Sequence, residues 1–196
     1  MRFWIFSDRL STRRLFSAGL VVTLITACIS LCAEELDPEL IERLRNTVVE
    51  DYGFEDRFEA EVFYTSMEPR LQKYMSDPEE RHNFLKLVHR EAVNQDLEPA
   101  LILAVITVES RFDRFAVSYA RAQGLMQVMS FWKNEIGRPE DNLIDAQTNL
   151  RYGTTILRHY MNVADGNWTE ALARYNGSYP KRWYAERVFD ALEIWR

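Results

Sequence analysis

Residues 99–110 read PALILAVITVES, and the architecture of the domain follows from this stretch. Pro99 suits the first turn of a helix, where its missing N–H group costs nothing. Every residue of 100–108 except Thr107 is apolar, so no side of this helix is suited to water. We therefore predict a helix that runs through the core and ends at Glu109. A carboxylate there marks either the return of the chain to water or a functional acid, since carboxylates are rarely buried without a partner or a role.

Helix start signals recur on both sides of this stretch. Asp37-Pro38 and Asp77-Pro78 each place an N-cap residue before a proline at the first helical position. The tetrapeptide NWTE at residues 167–170 is a capping box. With no βαβ alternation and no internal repeat, the sequence predicts an all-α fold. The predicted helices cover residues 37–53, 58–74, 78–92, 99–109, 126–132, 146–161, 168–175 and 182–195.

The charge of the chain excludes one class of partner. The 196 residues include 24 basic and 30 acidic side chains. Residues 1–33 hold four arginines and one aspartate, which leaves 20 basic and 29 acidic residues, a net charge of −9, for residues 34–196. An acidic domain repels phosphate backbones, so we expect no nucleic-acid partner. A neutral or mixed-charge polymer such as a glycan stays compatible with this composition.

Residues 1–33 have the order of a secretory signal peptide: four arginines precede an apolar stretch at 15–31. That stretch falls short of the roughly 20 apolar residues that a membrane span requires. Cleavage after Ala33 would release a soluble protein, whereas ITAC at 25–28 resembles a lipobox and would leave a lipidated Cys28 at the N-terminus. Both alternatives place the protein in the periplasm or cell envelope, with membrane attachment only through that lipid.

Cysteine and histidine usage predicts neither a metal site nor a cofactor. Cys28 and Cys32 both lie in the leader, so the remainder has no thiolate ligand and no disulfide framework. The three histidines, His82, His89 and His159, lack the ligand spacing of a zinc motif.

Residues 109–129 read ESRFDRFAVSYARAQGLMQVM. This segment resembles the lytic transglycosylases with the SLT (soluble lytic transglycosylase) domain, which are akin to goose-type lysozyme. Their pattern is E-S-x-F-[ND]-P-x-A-x-S-x-x-G-A-x-G-L-M-Q-x-M, followed by N-[LI]-x-D, N-x-x-x-G and A-Y-N. The resemblance covers roughly residues 95–190 in three ordered motifs. The matching positions are Glu109, Ser110, Phe112, Ala116, Ser118, Ala122, Gly124, Leu125, Met126, Gln127, Met129, Asn142, Asp145, Asn149, Gly153, Tyr175 and Asn176.

The resemblance implies a lysozyme-like SLT catalytic domain at residues 79–196, preceded by an N-terminal helical extension at 34–78. It also implies the activity of a peptidoglycan lytic transglycosylase, which cleaves the β-1,4 bond between N-acetylmuramic acid and N-acetylglucosamine and forms a 1,6-anhydro end. Glu109 would protonate the bond oxygen and then deprotonate the muramyl 6-hydroxyl. Two alternatives stay open, a hydrolytic muramidase and an inactive peptidoglycan-binding or scaffold protein.

The resemblance further implies which residues surround the acid. Tyr175 would orient the Glu109 carboxylate through its hydroxyl, with Asn176 in the same network. Ser118 would be a polar partner, although a turn residue is an equal interpretation. Gly124 would permit close backbone approach. The residues implied for substrate binding or for orienting the acid are Ser118, Gly124, Gln127, Met129, Tyr175 and Asn176.

The sequence leaves the role of two further groups of side chains undecided. Trp132, Trp168, Trp183 and Tyr184 are candidates for stacking on sugars, but core packing is the favoured role of each. The family has Gly and Ala where this chain has Arg121 and Arg174, and Pro where it has Arg114 and, often, Ser130. Arg121 and Arg174 could bind carboxylates of the peptide stems or extend into solvent, and the sequence does not separate the two.

Overall fold

The computed structural model describes residues 57–135 and 137–196. The leader and the helix predicted at 37–53 lie outside these residues. The domain boundary expected at residue 79 stays a prediction. The elements are α1 (Arg57–Leu71), α2 (Pro78–Asn94), α3 (Pro99–Glu109), β1 (Ala122–Gln123), β2 (Val128–Met129), α4 (Phe131–Glu135), α5 (Ala146–Val163), α6 (Trp168–Asn176) and α7 (Trp183–Trp195).

The helix starts predicted at Asp77-Pro78 and at Asn167 are confirmed by their caps. Oδ1 of Asp77 accepts hydrogen bonds from the backbone N–H of Glu79 and of Glu80, at 2.7 and 3.0 Å. Asn167 caps α6 in the same way through the N–H of Glu170, at 3.2 Å. These side chains satisfy N–H groups that the first turn of a helix leaves without intrahelical partners.

The core is built around α3, as its uniformly apolar sequence predicts. All residues from Ala100 to Ile106 are buried, and those from Ile102 onward have no exposed surface. The helix packs against α7 and α2, while α7 also contacts α6 and α1. This packing fixes the position of α3. Its last residue, Glu109, therefore lies where the surrounding helices meet the loops that follow α3.

A two-stranded antiparallel hairpin and the turn after it occupy residues 122–130, so the helix predicted at 126–132 is wrong for residues 126–130. Ala122 pairs with Met129, and Gln123 pairs with Val128. Between the strands Gly124 has a φ of +74° and Gln127 a φ of +51°, values that no right-handed helix contains. The next helix, α4, begins only at Phe131.

The side chain of Asn149 on α5 holds this hairpin. It is fully buried. Its Oδ1 accepts from the N–H of Met126 at 2.8 Å, and its Nδ2 donates to the carbonyls of Gln123 and Leu143, each at 2.8 Å. A Cβ on Gly124 would lie 2.5 Å from the same Nδ2. The hairpin can therefore pack against α5 only if residue 124 has no side chain.

Across residues 57–135 and 137–196, no helix combines the length and the apolar character needed to cross a bilayer.

Candidate active site

The chain turns sharply immediately after Glu109, the last residue of α3. Arg111 and Phe112 have φ angles of +54° and +68°, a left-handed conformation that costs energy for residues with a Cβ. The ring of Phe112 is buried and lies 4.4 Å from the ring of Tyr74 and 5.5 Å from that of Trp195, between centroids. Burial of Phe112 in this aromatic cluster offsets the cost of the turn and fixes the position at which α3 ends.

A cavity of about 250 Å³ opens at this end of α3. Six of the seven residues predicted for the site lie in its lining. The lining is Glu109, Ser118, Ala120, Ala122, Gln127, Val128, Met129, Trp132, Ile156, Tyr175 and Asn176. Residues from α3, the hairpin and α6 therefore meet at one place, although they are widely separated in the sequence.

The Glu109 carboxyl is held by hydrogen bonds from α7 and from the end of α6. The hydroxyl of Tyr184 donates to Oε1 at 2.6 Å, and the side chain of Asn176 forms a second hydrogen bond to the carboxylate. Burial raises the pKa of Glu109, while these two hydrogen bonds and the positive charge of Arg187 act to lower it. Desolvation is the largest of these effects, so the pKa is raised overall and the protonated form is favoured.

The contact predicted for Tyr175 is made by Tyr184 instead. The Tyr175 hydroxyl donates to the carbonyl of Met126 at 2.8 Å, so it fixes the turn of the hairpin while its ring lines the cavity. Tyr184 fits the favoured prediction of a core residue, being 1% exposed, but its hydroxyl reaches the acid. A buried tyrosine needs a partner for its hydroxyl, but no signal in the sequence says which partner, since this depends on the packing of α7 against α3.

Ser118 and Gln127 serve the loop as well as the cavity. Oγ of Ser118 accepts from the N–H of Ala122 at 3.0 Å, as a turn residue would. Nε2 of Gln127 donates to the carbonyls of Ala116 and Gly124, at 3.2 and 2.9 Å. These contacts leave the Ser118 hydroxyl proton and the Gln127 Oε1 for a ligand.

Gly124 is placed differently from the prediction. It is not among the lining residues of the cavity. The close approach that it permits is to Asn149 and to the carbonyl of Leu143, since a Cβ at this position would lie 2.5 Å from each. Its contribution to the site is therefore indirect, through the seating of the hairpin.

The tryptophans considered for stacking on sugars lie in three different places. Trp132 is 6% exposed and lines the cavity. Trp168 lines a separate depression bordered by α3, α6 and α7, and Trp183 is 44% exposed at the start of α7. Among the predicted tryptophans that the structure describes, only Trp132 borders the space beside Glu109.

The two arginines that depart from the family pattern also differ from each other. Arg174 donates to Oε1 of Glu170 at 2.9 and 2.7 Å, and its guanidinium lies 4.1 Å from the ring centroid of Tyr179. Neither partner lines the cavity, so Arg174 is engaged within the protein. Arg121 is exposed and has a φ of +70°, a conformation in which glycine carries no strain.

Within the described lining of the cavity, Glu109 is the only carboxylate. Asp113, its nearest acidic neighbour in the sequence, is exposed and borders a different groove. No group of three His, Cys, Asp or Glu side chains with metal-binding geometry occurs in the part of the chain that the structure describes. The geometry supports proton transfer by a single acid rather than by a pair of carboxylates.

Comparison with protein families gives one match over this region. The model of the transglycosylase SLT domain matches residues 86–194, more than half of the chain. The match contains every residue of the cavity lining together with Tyr184.

Curated relatives and a solved structure are similar over parts of their length. Membrane-bound lytic murein transglycosylase C of Yersinia pestis (strain Pestoides F) is 34% identical over 112 residues, which cover 49% of this chain and 31% of the relative. The protein of that name from Yersinia pseudotuberculosis serotype O:1b (strain IP 31758) gives the same values. The chain thus spans about a third of the length of these curated relatives. An inactive mutant of lytic transglycosylase Slt from Pseudomonas aeruginosa is 21% identical, with a TM-score of 0.49 over 82% of this chain and 37% of that one.

Proposed function

The chain belongs to the transglycosylase SLT domain family, and on this premise we propose that it is a peptidoglycan lytic transglycosylase. It cleaves the β-1,4 bond between N-acetylmuramic acid and N-acetylglucosamine and leaves a 1,6-anhydro end. The observation that carries the proposal is a lone, half-buried carboxyl, Glu109, that lines a cavity and accepts a 2.6 Å hydrogen bond from Tyr184.

The first step is protonation of the leaving oxygen. Because burial raises the pKa of Glu109, the carboxyl can retain its proton at a pH where an exposed glutamate is ionised. It donates this proton to the glycosidic oxygen of the N-acetylglucosamine unit as the bond from the muramyl anomeric carbon breaks. General acid catalysis of this kind contributes roughly 10²–10⁴-fold to a rate.

The second step returns the proton. After donation Glu109 is a carboxylate, which the Tyr184 hydroxyl and the Asn176 side chain stabilise through their hydrogen bonds. The muramyl 6-hydroxyl attacks the anomeric carbon and gives its proton to Glu109. A ring C–O bond forms in place of the glycosidic bond, no water is consumed, and the acid regains its initial state.

The absence of a second carboxylate from the described lining agrees with this scheme. The usual retaining mechanism places two carboxyl groups about 5 Å apart, one of them as nucleophile. In the proposed reaction the substrate's acetamido group stabilises the anomeric carbon, so one acid is sufficient. Ser118, Gln127 and Met129, which line the same cavity, contact the sugar.

The enzyme acts in the cell envelope, where its polymer substrate is found. The order of arginines and apolar residues in residues 1–33 supports export, and curated relatives carry the name membrane-bound lytic murein transglycosylase C. A lipid on Cys28 is the attachment that the lipobox-like residues ITAC at 25–28 favour.

Digestion of purified sacculi followed by mass spectrometry of the products tests the proposal. We expect anhydro-muropeptides, which weigh one water less than the reducing-end products of a hydrolytic muramidase. Glu109→Gln should retain sacculus binding and lose turnover. Reducing ends from the wild type would assign the muramidase reaction, and no products from either protein would favour the inactive binding protein.

A further inference from the structure

The loop that borders the catalytic cavity, residues 111–121, presents two different sides. Ser118 and Ala120 line the cavity. The alternate side chains are apolar and lie in solvent: Phe115 is 67% exposed, Val117 60% and Tyr119 106%. Phe115 and Tyr119 lie in turns, on either side of the short extended stretch around Val117. None of the three exposed side chains lines the cavity, so a sugar bound beside Glu109 does not explain them.

Backbone contacts hold these apolar side chains outward. The N–H of Ser118 donates to the carbonyl of Ala122 at 2.9 Å, and the N–H of Gly124 donates to the carbonyl of Ala116 at 2.8 Å. Val117 also bridges to Gln123 in an antiparallel arrangement. Large apolar side chains clustered on one exposed, ordered loop indicate an interaction surface.

The same loop is basic in an otherwise acidic protein. It contains Arg111, Arg114 and Arg121 against the single acid Asp113, whose Oδ1 accepts a hydrogen bond from the N–H of Phe115 at 2.9 Å. All three arginines are exposed. None of the ion pairs found in residues 57–135 and 137–196 includes these three arginines.

We propose that this loop docks onto an anionic phospholipid surface. Phe115, Val117 and Tyr119 enter the headgroup layer, and the arginines bind the lipid phosphates. Aromatic side chains favour the membrane interface, and guanidinium groups match phosphate in geometry and charge. The remainder of the domain is acidic and is repelled by such a surface, so the protein can approach only with this loop foremost. Because the docked side chains do not line it, the cavity remains open to the glycan.

Vesicle sedimentation tests this docking in the exported protein, with Cys28→Ser in every version so that no lipid is attached there. We expect binding to phosphatidylcholine vesicles that contain about a third phosphatidylglycerol, and much weaker binding to phosphatidylcholine alone. Phe115→Ser with Tyr119→Ser should lower the affinity at least tenfold. Arg111→Gln with Arg114→Gln should lower it by roughly fivefold per arginine, with the loss greatest at low salt.

The matched control is Val62→Ser with Ile194→Ser, which removes two similarly exposed apolar side chains elsewhere and should not change binding. Equal affinity for both vesicle types, or an unchanged affinity in the aromatic variant, would overturn the proposal. A loss of sacculus binding rather than vesicle binding would assign the loop to the wall polymer. Cleavage of soluble glycan fragments should stay within twofold in the aromatic variant (about the scatter expected for surface changes outside the cavity lining), so docking and catalysis can fail independently.

Discussion

The hydroxyl of Tyr184 donates a 2.6 Å hydrogen bond to Oε1 of Glu109, a residue 75 positions earlier in the chain. The bond joins α7 to the end of α3, two helices that pack closely along their length. A second link, from Nε1 of Trp195 to Oγ1 of Thr107 at 2.9 Å, joins the same two helices. The position of the acid is therefore set by the packing of the C-terminal helix against the core helix.

Tyr184→Phe removes the hydroxyl and keeps the ring that fills the core. The Tyr184 hydrogen bond lowers the pKa of Glu109, so its loss should raise that pKa further. Since the first step needs the protonated acid, the fall of kcat/KM at alkaline pH should move to higher pH. The maximal rate should drop by roughly tenfold or more, because the carboxylate formed during the reaction loses a donor. A pH–rate profile on glycan fragments measures both effects.

Tyr175→Phe is the matched comparison, since it also deletes one hydroxyl beside the cavity. It leaves the Met126 carbonyl without the 2.8 Å donor that it now has, which should lower the stability by about 1 kcal/mol. We expect a lower Tm, a smaller loss of rate than in Tyr184→Phe, and no alkaline shift of the profile. If Tyr175→Phe lost more of the rate than Tyr184→Phe, Tyr175 would be the residue that orients the acid.

Glu109→Gln should stabilise the protein at neutral pH. The unfolded chain releases the Glu109 proton near its ordinary pKa of 4.5, whereas the folded protein releases it only at a higher pH. Between these two values the native state holds a proton that the unfolded state has lost, so stability falls as the pH rises through the window. The penalty amounts to about 1.4 kcal/mol per pKa unit of elevation. Glutamine cannot ionise, so the variant does not incur this loss of stability.

Thermal unfolding of both proteins as a function of pH measures this difference. The Tm of Glu109→Gln should match that of the wild type below pH ~4.5, where both side chains are neutral, and exceed it increasingly towards neutral pH. Ser118→Ala, which changes a neutral group in the same cavity, should shift the Tm by an amount that does not depend on pH. A gap between wild type and Glu109→Gln that stays constant from acid to neutral pH would show that the carboxyl is not desolvated.

Gly124→Ala should disrupt the hairpin, and Gly177→Ala supplies its control. The two glycines have nearly the same φ, +74° and +76°, so alanine costs a similar backbone strain of about 1–2 kcal/mol at each. A Cβ at Gly177 meets no atom within 4 Å, whereas one at Gly124 lies 2.5 Å from Asn149 Nδ2 and from the Leu143 carbonyl. Chemical denaturation should therefore show a clearly larger loss for Gly124→Ala, accompanied by loss of glycan cleavage. Equal losses would mean that the hairpin can shift away from α5.

Helix positions were largely predictable from local chemistry. Asp77 with Pro78 and the NWTE segment at 167–170 determine where α2 and α6 begin, because caps and N1 prolines act on their own turn. The uniformly apolar residues 100–106 identified the core helix, since no other environment suits them. The same argument left Glu109 open between a return of the chain to water and a functional acid, and the resemblance of residues 109–129 to the SLT pattern decided between them.

The hairpin and the orienting tyrosine were not predictable in this way. Residues 125–129 have helix-compatible side chains, but the buried amide of Asn149 binds their backbone from α5, and this contact overrides local preference. Tyr184 lies in the apolar stripe of α7, where its ring is indistinguishable from other core residues. Only the packing of α7 against α3 determines that its hydroxyl meets a carboxyl group.

The direction in which α3 runs has its own electrostatic consequence. The helix begins at Pro99 and ends at Glu109, so its aligned peptide dipoles place their negative pole at the carboxyl group. This pole opposes ionisation by about 0.3–1 kcal/mol at an accessible helix end and by more where water is excluded. The backbone thus adds to the proton affinity of the acid without any side chain, and a glutamate at the opposite end of the same helix would experience the reverse field.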